Sequence, residues 1–376
     1  MWSTLLTSAG AMLAGCSGTR DHAPYRQILT HGMVVTDEGR KMSKSLGNDI
    51  PPETVIKQSG AEILRLWVAS VDFREEVRFG PEILARVVEA YRKLRNTLRI
   101  LAANLTDFRP ATDMVPPHLM DEVDRFTMAR YGELAAKLRS AYETYDFPAI
   151  FQALNAFVSV DLSAFYVDVS KDRVYTLAAG SRERRSAQTA MFAIADGLAR
   201  LIAPVLPVLA DEYWKCLPGE REESVHLAEF PKDTHLFVDA ELVERWTRLL
   251  RLRVAVNAEL EKLRQTKVIG QSLEAVVHLR ATGPLQELLT RHLDDLPGLF
   301  IASQVDDAAS APVAGEEPAE GSVYVEADGS AAHIVAARAP GLKCDRCWRY
   351  VPAVSAATGR EGVCPRCEDA LEAPGR

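Results

Sequence analysis

The chain has 376 residues, 47% hydrophobic and 26% charged, a profile that excludes a disordered or collagen-like polymer. Its 44 lysines and arginines against 52 acids give a net charge of −8, so it is no polycation and any nucleic-acid contact needs a local basic patch. No run approaches about 18 uninterrupted apolar residues, so no membrane-spanning helix is predicted, and the length implies two or three domains.

Residues 1–16 (MWSTLLTSAGAMLAGC) form an apolar run ending in Leu-Ala-Gly-Cys, the outline of a lipoprotein export signal with Cys16 as the modified residue. A secretory signal needs a positive start, and the first basic residue is Arg20, after the run. Charge therefore favours a buried helix. From Pro24 to Val35 the run PYRQILTHGMVV predicts one buried strand, closed by a turn at Asp37-Glu38-Gly39. The polar loop RKMSKSLGN follows. Pro51-Pro52-Glu53 then opens a helix over 53–70, with Val55, Ile56, Ile63, Leu64, Trp67 and Val68 as its apolar stripe.

Residues 81–106 place Ile83, Leu84, Val87, Val88, Tyr91, Leu94, Leu98 and Leu101 at helical spacing, with Arg86, Arg92, Lys93, Arg95 and Arg99 on much of the other face. Pro110 to Pro117 reads as a linker. Helices are predicted over 120–143, 147–169 and 182–216, the last split by Pro204 and Pro207, and over 238–266. A strand at 273–279 and a helix at 283–296 come next. Residues 304–331 are acidic and rich in Ala, Gly and Pro, partly a linker, with a short strand at Val323–Val325. No internal repeat is present.

Of the 6 cysteines, four fall near the end as Cys344-x2-Cys347 and Cys364-x2-Cys367. Two knuckle turns at this spacing bring four thiolates into a tetrahedron, the way structural zinc is held. Sulfur fills every position, so the ion stabilises the fold and performs no chemistry. Two local disulfides or inert thiols are the alternative. Lys343, Arg346, Trp348, Arg349 and Arg366 surround the sulfurs, a basic knuckle suited to an RNA backbone or base. For Trp348 itself, covering the zinc hairpin is the simpler role.

Lys41-Met42-Ser43-Lys44-Ser45 sits between a strand-and-turn and a helix. The segment resembles the KMSKS loop of class I aminoacyl-tRNA synthetases. The resemblance implies amino-acid activation that expels pyrophosphate from ATP, where ammonium groups on a mobile loop can follow the negative charge onto the leaving group and stabilise it most in the transition state. NTLRILAANLTDF (96–108), VDLSAFYVDVSKDRVYT (160–176), SAQTAMF (186–192), APVLPVLADEYW (203–214) and SVHLAEFP (224–231) look like the helical region of isoleucyl-tRNA synthetases. GLKCDRCWRY (341–350) resembles the C-terminal zinc module of the bacterial enzymes.

That resemblance implies a mainly α fold: the tail of a Rossmann-type catalytic domain with the lysine loop (1–60), a helical stem-contact region (61–117), and an anticodon-binding helical bundle (118–235). A C-terminal helix with a small α+β region (236–303), an acidic linker (304–338) and a zinc ribbon or knuckle (339–376) complete it. It further implies isoleucine–tRNA ligase activity. Lys44 is then the principal ATP phosphate contact, assisted by Lys41, with Ser43 and Ser45 beside them, and Mg2+ accompanies ATP. One zinc ion on Cys344, Cys347, Cys364 and Cys367, isoleucine and its tRNA as partners, and a cytoplasmic location follow. No H-x-G-H sequence, editing domain or first half of the nucleotide fold occurs in the chain. The expectation is therefore a truncated reading frame or one piece of a split gene, inactive alone and needing a complementary N-terminal fragment. A stand-alone, non-catalytic tRNA-binding zinc protein is the alternative; an exported lipoprotein is disfavoured by the lysine loop and the thiol pattern.

Overall fold

Prolines set the starts of most helices, because a residue without an N–H and with a fixed φ fits the first helical turn. The computed structural model describes residues 27–307 and 321–373; the apolar start with Cys16 and the core of the acidic stretch lie outside them. The helices are α1 (Pro52–Ser59), α2 (Ala61–Ser70), α3 (Pro81–Ala103), α4 (Pro110–Asp113) and α5 (Glu122–Glu143). They continue with α6 (Phe147–Ala156), α7 (Val167–Thr176), α8 (Arg182–Ile202), α9 (Pro207–Trp214), α10 (Ala240–Gln265), α11 (Gly283–Arg291), α12 (Leu296–Phe300) and α13 (Pro365–Glu372). A mainly α chain is the result.

The single helix expected over 53–70 is two. Gly60 stands between them at φ 89° and ψ 157°, a conformation that a Cβ would strain. The long strand expected from Pro24 to Val35 reduces, within the described residues, to β1 (Val34–Thr36). It pairs in parallel with β2 (Val77–Phe79), itself only three residues long, so the ladder ends where its partner does. The supposed linker at 110–117 contains α4, whose Asp113 is buried and faces Arg185 at 3.5 Å.

The bundle packs α5, α8 and the continuous helical stretch 147–176 around a shared core that includes Leu138, Leu162, Ile194 and Leu198. Residues 157–166 of that stretch run in wide π-type turns. By length and composition 147–176 could cross a membrane, contrary to the reading of uninterrupted runs, but Ile150, Leu154, Phe157, Leu162, Phe165 and Tyr166 are buried inside the bundle. Glu62 of α2 fastens the first helices to the bundle. One carboxylate oxygen accepts the N–H groups of Val208 and Leu209 at 2.8 and 3.0 Å, capping α9, and the other accepts Tyr91 Oη–H at 2.9 Å.

A four-stranded sheet in the order β4-β3-β6-β5 packs against α10. Its strands are β3 (Ala275–Ala281), β4 (Gln304–Asp307), β5 (Ser322–Val325) and β6 (Ala331–Arg338); β4 runs parallel to β3, and β6 antiparallel to both β3 and β5. Three of these strands fall inside the segment expected to be an acidic linker. The short strand expected at Val323–Val325 is β5, whereas composition hid β4 and β6: in AAHIVAAR the buried positions, Ala332 and Ile334, alternate with less buried ones, a period-two pattern carried largely by small residues. The chain then forms a short hairpin of β7 (Leu342–Lys343) and β8 (Tyr350–Val351) before α13.

Candidate functional site

The lysine loop leaves β1 through a tight turn and returns at Lys41, which bridges to Val35. Asn48 then closes it like a clasp. Its side-chain oxygen accepts the Ser43 N–H at 2.8 Å, and its amide donates to the Lys41 carbonyl at 3.2 Å. Ser43 and Ser45 hydroxyls meet at 2.8 Å, and residues 44–46 form one turn of 3-10 helix ended by Gly47 at φ 65°. Met42 tucks partly against the core, whereas Lys41 and Lys44 are exposed. Backbone contacts hold the loop, and both lysine side chains are left exposed on it. Sequence reasoning named the lysines and serines and missed Asn48, whose signal was an Asx-type residue just past the turn.

The four cysteines converge from two knuckles, one in the β7–β8 hairpin and one at the start of α13. All four are buried, free thiols rather than disulfides, and their sulfurs lie within 4.8 Å of one another. Cys347 Sγ and Cys364 Sγ are 3.8 Å apart, the edge of a tetrahedron whose centre-to-sulfur distance is about 2.3 Å. The Cys364 N–H donates to Cys344 Sγ at 3.2 Å. Burial pushes the Cys344 thiol up, but N–H groups of Cys347, Cys364 and Arg346 outweigh it and bring it down to about 6. Burial raises Cys347, and raises Cys367 to about 12. An all-sulfur, closed donor set fits structural zinc, which would hold all four as thiolates.

The arginines of this module do not form a free basic knuckle. Arg366 donates to both oxygens of Asp172 at 2.6 and 2.7 Å, and Arg349 donates to the same carboxylate at 2.9 Å. Arg346 donates to the carbonyl of Thr176, the last residue of α7. Burial raises the Asp172 carboxyl, and Arg366 and Arg349 more than offset this, holding it below the usual carboxylate range. Trp348, expected as a cover for the hairpin, is instead 53% exposed and held at φ 64°, with Lys343 Nζ 5.9 Å from its ring centre. That leaves the indole and one ammonium facing outward.

Other basic clusters divide in the same way. Arg173, Arg182, Arg184 and Arg185 pair with Asp121, Asp124, Asp107 and Asp113, while Arg245 and Arg248 pair with Glu122 and Glu326. On α3, by contrast, Arg86, Lys93, Arg95 and Arg99 are exposed, and Arg92 pairs with its helical neighbour Glu89. The lysine loop and the four-thiol centre occupy different parts of the fold.

Residues 9–80 match the family described as class I tRNA synthetases of the I, L, M and V group. Residues 124–279 match the anticodon-binding domain of tRNA ligase, and 341–370 the zinc finger found in FPG and IleRS. The isoleucine–tRNA ligase of Syntrophotalea carbinolica is 47% identical over 354 residues, 93% of this chain and 37% of that protein. That of Geobacter sulfurreducens is 45% identical over 355 residues, 94% of this chain and 38% of its own. The Thermoanaerobacter enzyme is 41% identical over 373 residues, 98% of this chain and 38% of its own. The chain thus spans less than two-fifths of the length of the curated relatives it matches. With identity running from the lysine loop through the bundle to the thiol centre, the chain belongs to the isoleucine–tRNA ligase family and corresponds to the C-terminal part of its members.

Proposed function

We propose that the chain supplies the phosphate-handling loop and the tRNA-binding surface of an isoleucine–tRNA ligase. In the activation step the isoleucine carboxylate attacks the α-phosphorus of ATP, the bond to the bridging oxygen breaks, and pyrophosphate leaves with added negative charge. Lys44 meets that charge and Lys41 assists, while Ser43 and Ser45 line the turn that presents them. Ammonium groups that gain contact as charge develops lower the barrier more than they tighten ground-state binding. ATP arrives with Mg2+. The isoleucine pocket and the other half of the nucleotide site come from the stretch of the relatives that this chain does not match, supplied as a complementary N-terminal part.

The observation that carries this reading is the clasped loop with two exposed lysines, within a chain so similar to isoleucine–tRNA ligases. The bundle, the exposed basic face of α3 and the outward Trp348 with Lys343 support tRNA as the second partner. Phosphates meet the basic face and splayed bases stack on the indole. Free thiols agree with a reducing, cytoplasmic setting. The test mixes the purified chain with the unmatched N-terminal part of the Syntrophotalea carbinolica relative and follows isoleucine-dependent ATP–pyrophosphate exchange. Exchange that requires both pieces is the expected result; no exchange from a stable complex of the two would contradict it.

A further inference from the structure

We infer that Asp172 is the positioning residue that seats the zinc module on the helical bundle, and that this seating and metal retention stabilise one another. The four thiols, with Val351 and Val363, form an apolar cluster of their own, separate from the main core. Among the described residues, therefore, no shared hydrophobic interior fixes the module's place. Its side-chain contacts to the bundle converge on one helix end: Arg349 and Arg366 on the Asp172 carboxylate, and Arg346 on the Thr176 carbonyl. A helix C-terminus carries partial negative charge, so α7 offers its dipole and a carboxylate together to three guanidinium groups. Towards the sheet the module adds the Tyr350 N–H to Ser303 Oγ at 2.7 Å and the Gln304 amide to the Tyr350 carbonyl at 3.2 Å. A cavity of about 430 Å3, bordered by Asp172, Trp246, Leu299, Arg349 and Arg366, opens beside the carboxylate, so apolar packing does not take over there.

The three arginines are placed by the thiol knuckles themselves. Arg346 lies between Cys344 and Cys347, Arg349 follows Cys347, and Arg366 lies between Cys364 and Cys367. They can converge on one helix end only while the two knuckles are held together, which is what a bound zinc ion does. By linkage, whatever favours the converged knuckles favours both metal and docking, so loss of either weakens the other. The consequence for tRNA rests on the function proposed above, because a module free to swing no longer presents Trp348 in register with the bundle. The docking itself stands without it.

The experiment uses the full, zinc-loaded chain as wild type, Asp172→Asn, Arg366→Gln and the double variant. Zinc transfer to a colorimetric chelator and amide hydrogen exchange across 341–373 are followed for each, with circular dichroism to confirm that the helices persist. Both single changes should speed zinc release and raise exchange in the module, Asp172→Asn by about tenfold and Arg366→Gln by less because the Arg349 contact survives it, and the double variant should be no faster than Asp172→Asn, which already removes the carboxylate that Arg366 meets. Unchanged release and exchange in both single variants, or effects that multiply in the double, would overturn the assignment. Titration of an isoleucine tRNA on the same proteins separates the two readings. Faster zinc release with unaltered tRNA affinity would leave the latch standing and remove the module from RNA binding.

Discussion

Asp124 and Arg173 meet inside the bundle through a two-pronged contact, Nη1 to Oδ2 at 2.8 Å and Nη2 to Oδ1 at 2.7 Å. Asp124 is fully buried, and Tyr166 Oη–H, 2.8 Å away, donates to it as well. Arg173 also reaches Asp121 at 2.8 Å, so one node joins α5, the 147–176 helix and, through Ser186, α8. Asp124→Ala leaves a partly buried guanidinium without its main counter-charge. Equilibrium urea unfolding should show a loss of about 3–5 kcal/mol. A change under 1 kcal/mol would mean the node does little for stability.

The thiol centre predicts one zinc per chain in freshly reduced protein, read by elemental analysis. Single Cys→Ser changes at 344, 347, 364 or 367 should abolish stoichiometric binding and unfold the module, since a unit this small draws much of its folding free energy from the metal. The bundle should keep its own melting transition, because the module's apolar cluster is separate from the main core. Metal-free protein with an ordered module would contradict this.

In the two-part exchange assay, Lys44→Ala should lower kcat by about two to three orders of magnitude, the loss expected when one transition-state charge contact goes. Asn48→Ala removes the clasp but keeps both lysines, so it should cut kcat more mildly with little change in KM. Equal losses from both variants would show that the loop's fold, rather than the Lys44 charge, carries the effect.

The lysine loop and cysteine spacing were legible in the sequence because both are short, local patterns whose chemistry follows from residue type. Helix existence was legible too, since apolar spacing announces α3, α5, α8 and α10 directly, and Pro81 marks the start of α3. Three things were not. The β6 strand is built from alanines that composition assigns to a linker, and only pairing with β3 reveals it. The break at Gly60 depends on one φ value in an otherwise continuous apolar stripe. The arginines around the cysteines looked free for RNA because their partner, Asp172, lies 194 residues before Arg366, a distance no local pattern spans.

Asp211 offers a test by pH. Lys215 at 2.7 Å and the Ser224 hydroxyl at 2.5 Å hold its carboxyl down to about 2, and the Val225 N–H adds to them. A depressed folded value means the stabilisation is complete above the unfolded value of about 3.9 and is lost as pH falls towards the folded one. Melting temperatures of wild type and Asp211→Asn should therefore differ at pH 5, with the wild type higher, and converge as pH approaches 2. A constant gap across that window would refute the assignment.

On the function proposed above, the chain carries a tRNA-reading surface despite a net charge of −8. Its most direct test is the affinity of the zinc-loaded chain for an isoleucine tRNA and for an unrelated tRNA, measured between 50 and 200 mM salt. Neutralising several phosphates releases counterions, so affinity for both should fall steeply, by roughly a hundredfold or more. Base contacts should keep the isoleucine tRNA tighter at every salt concentration. Equal, weak and salt-insensitive binding of both tRNAs would contradict such a surface.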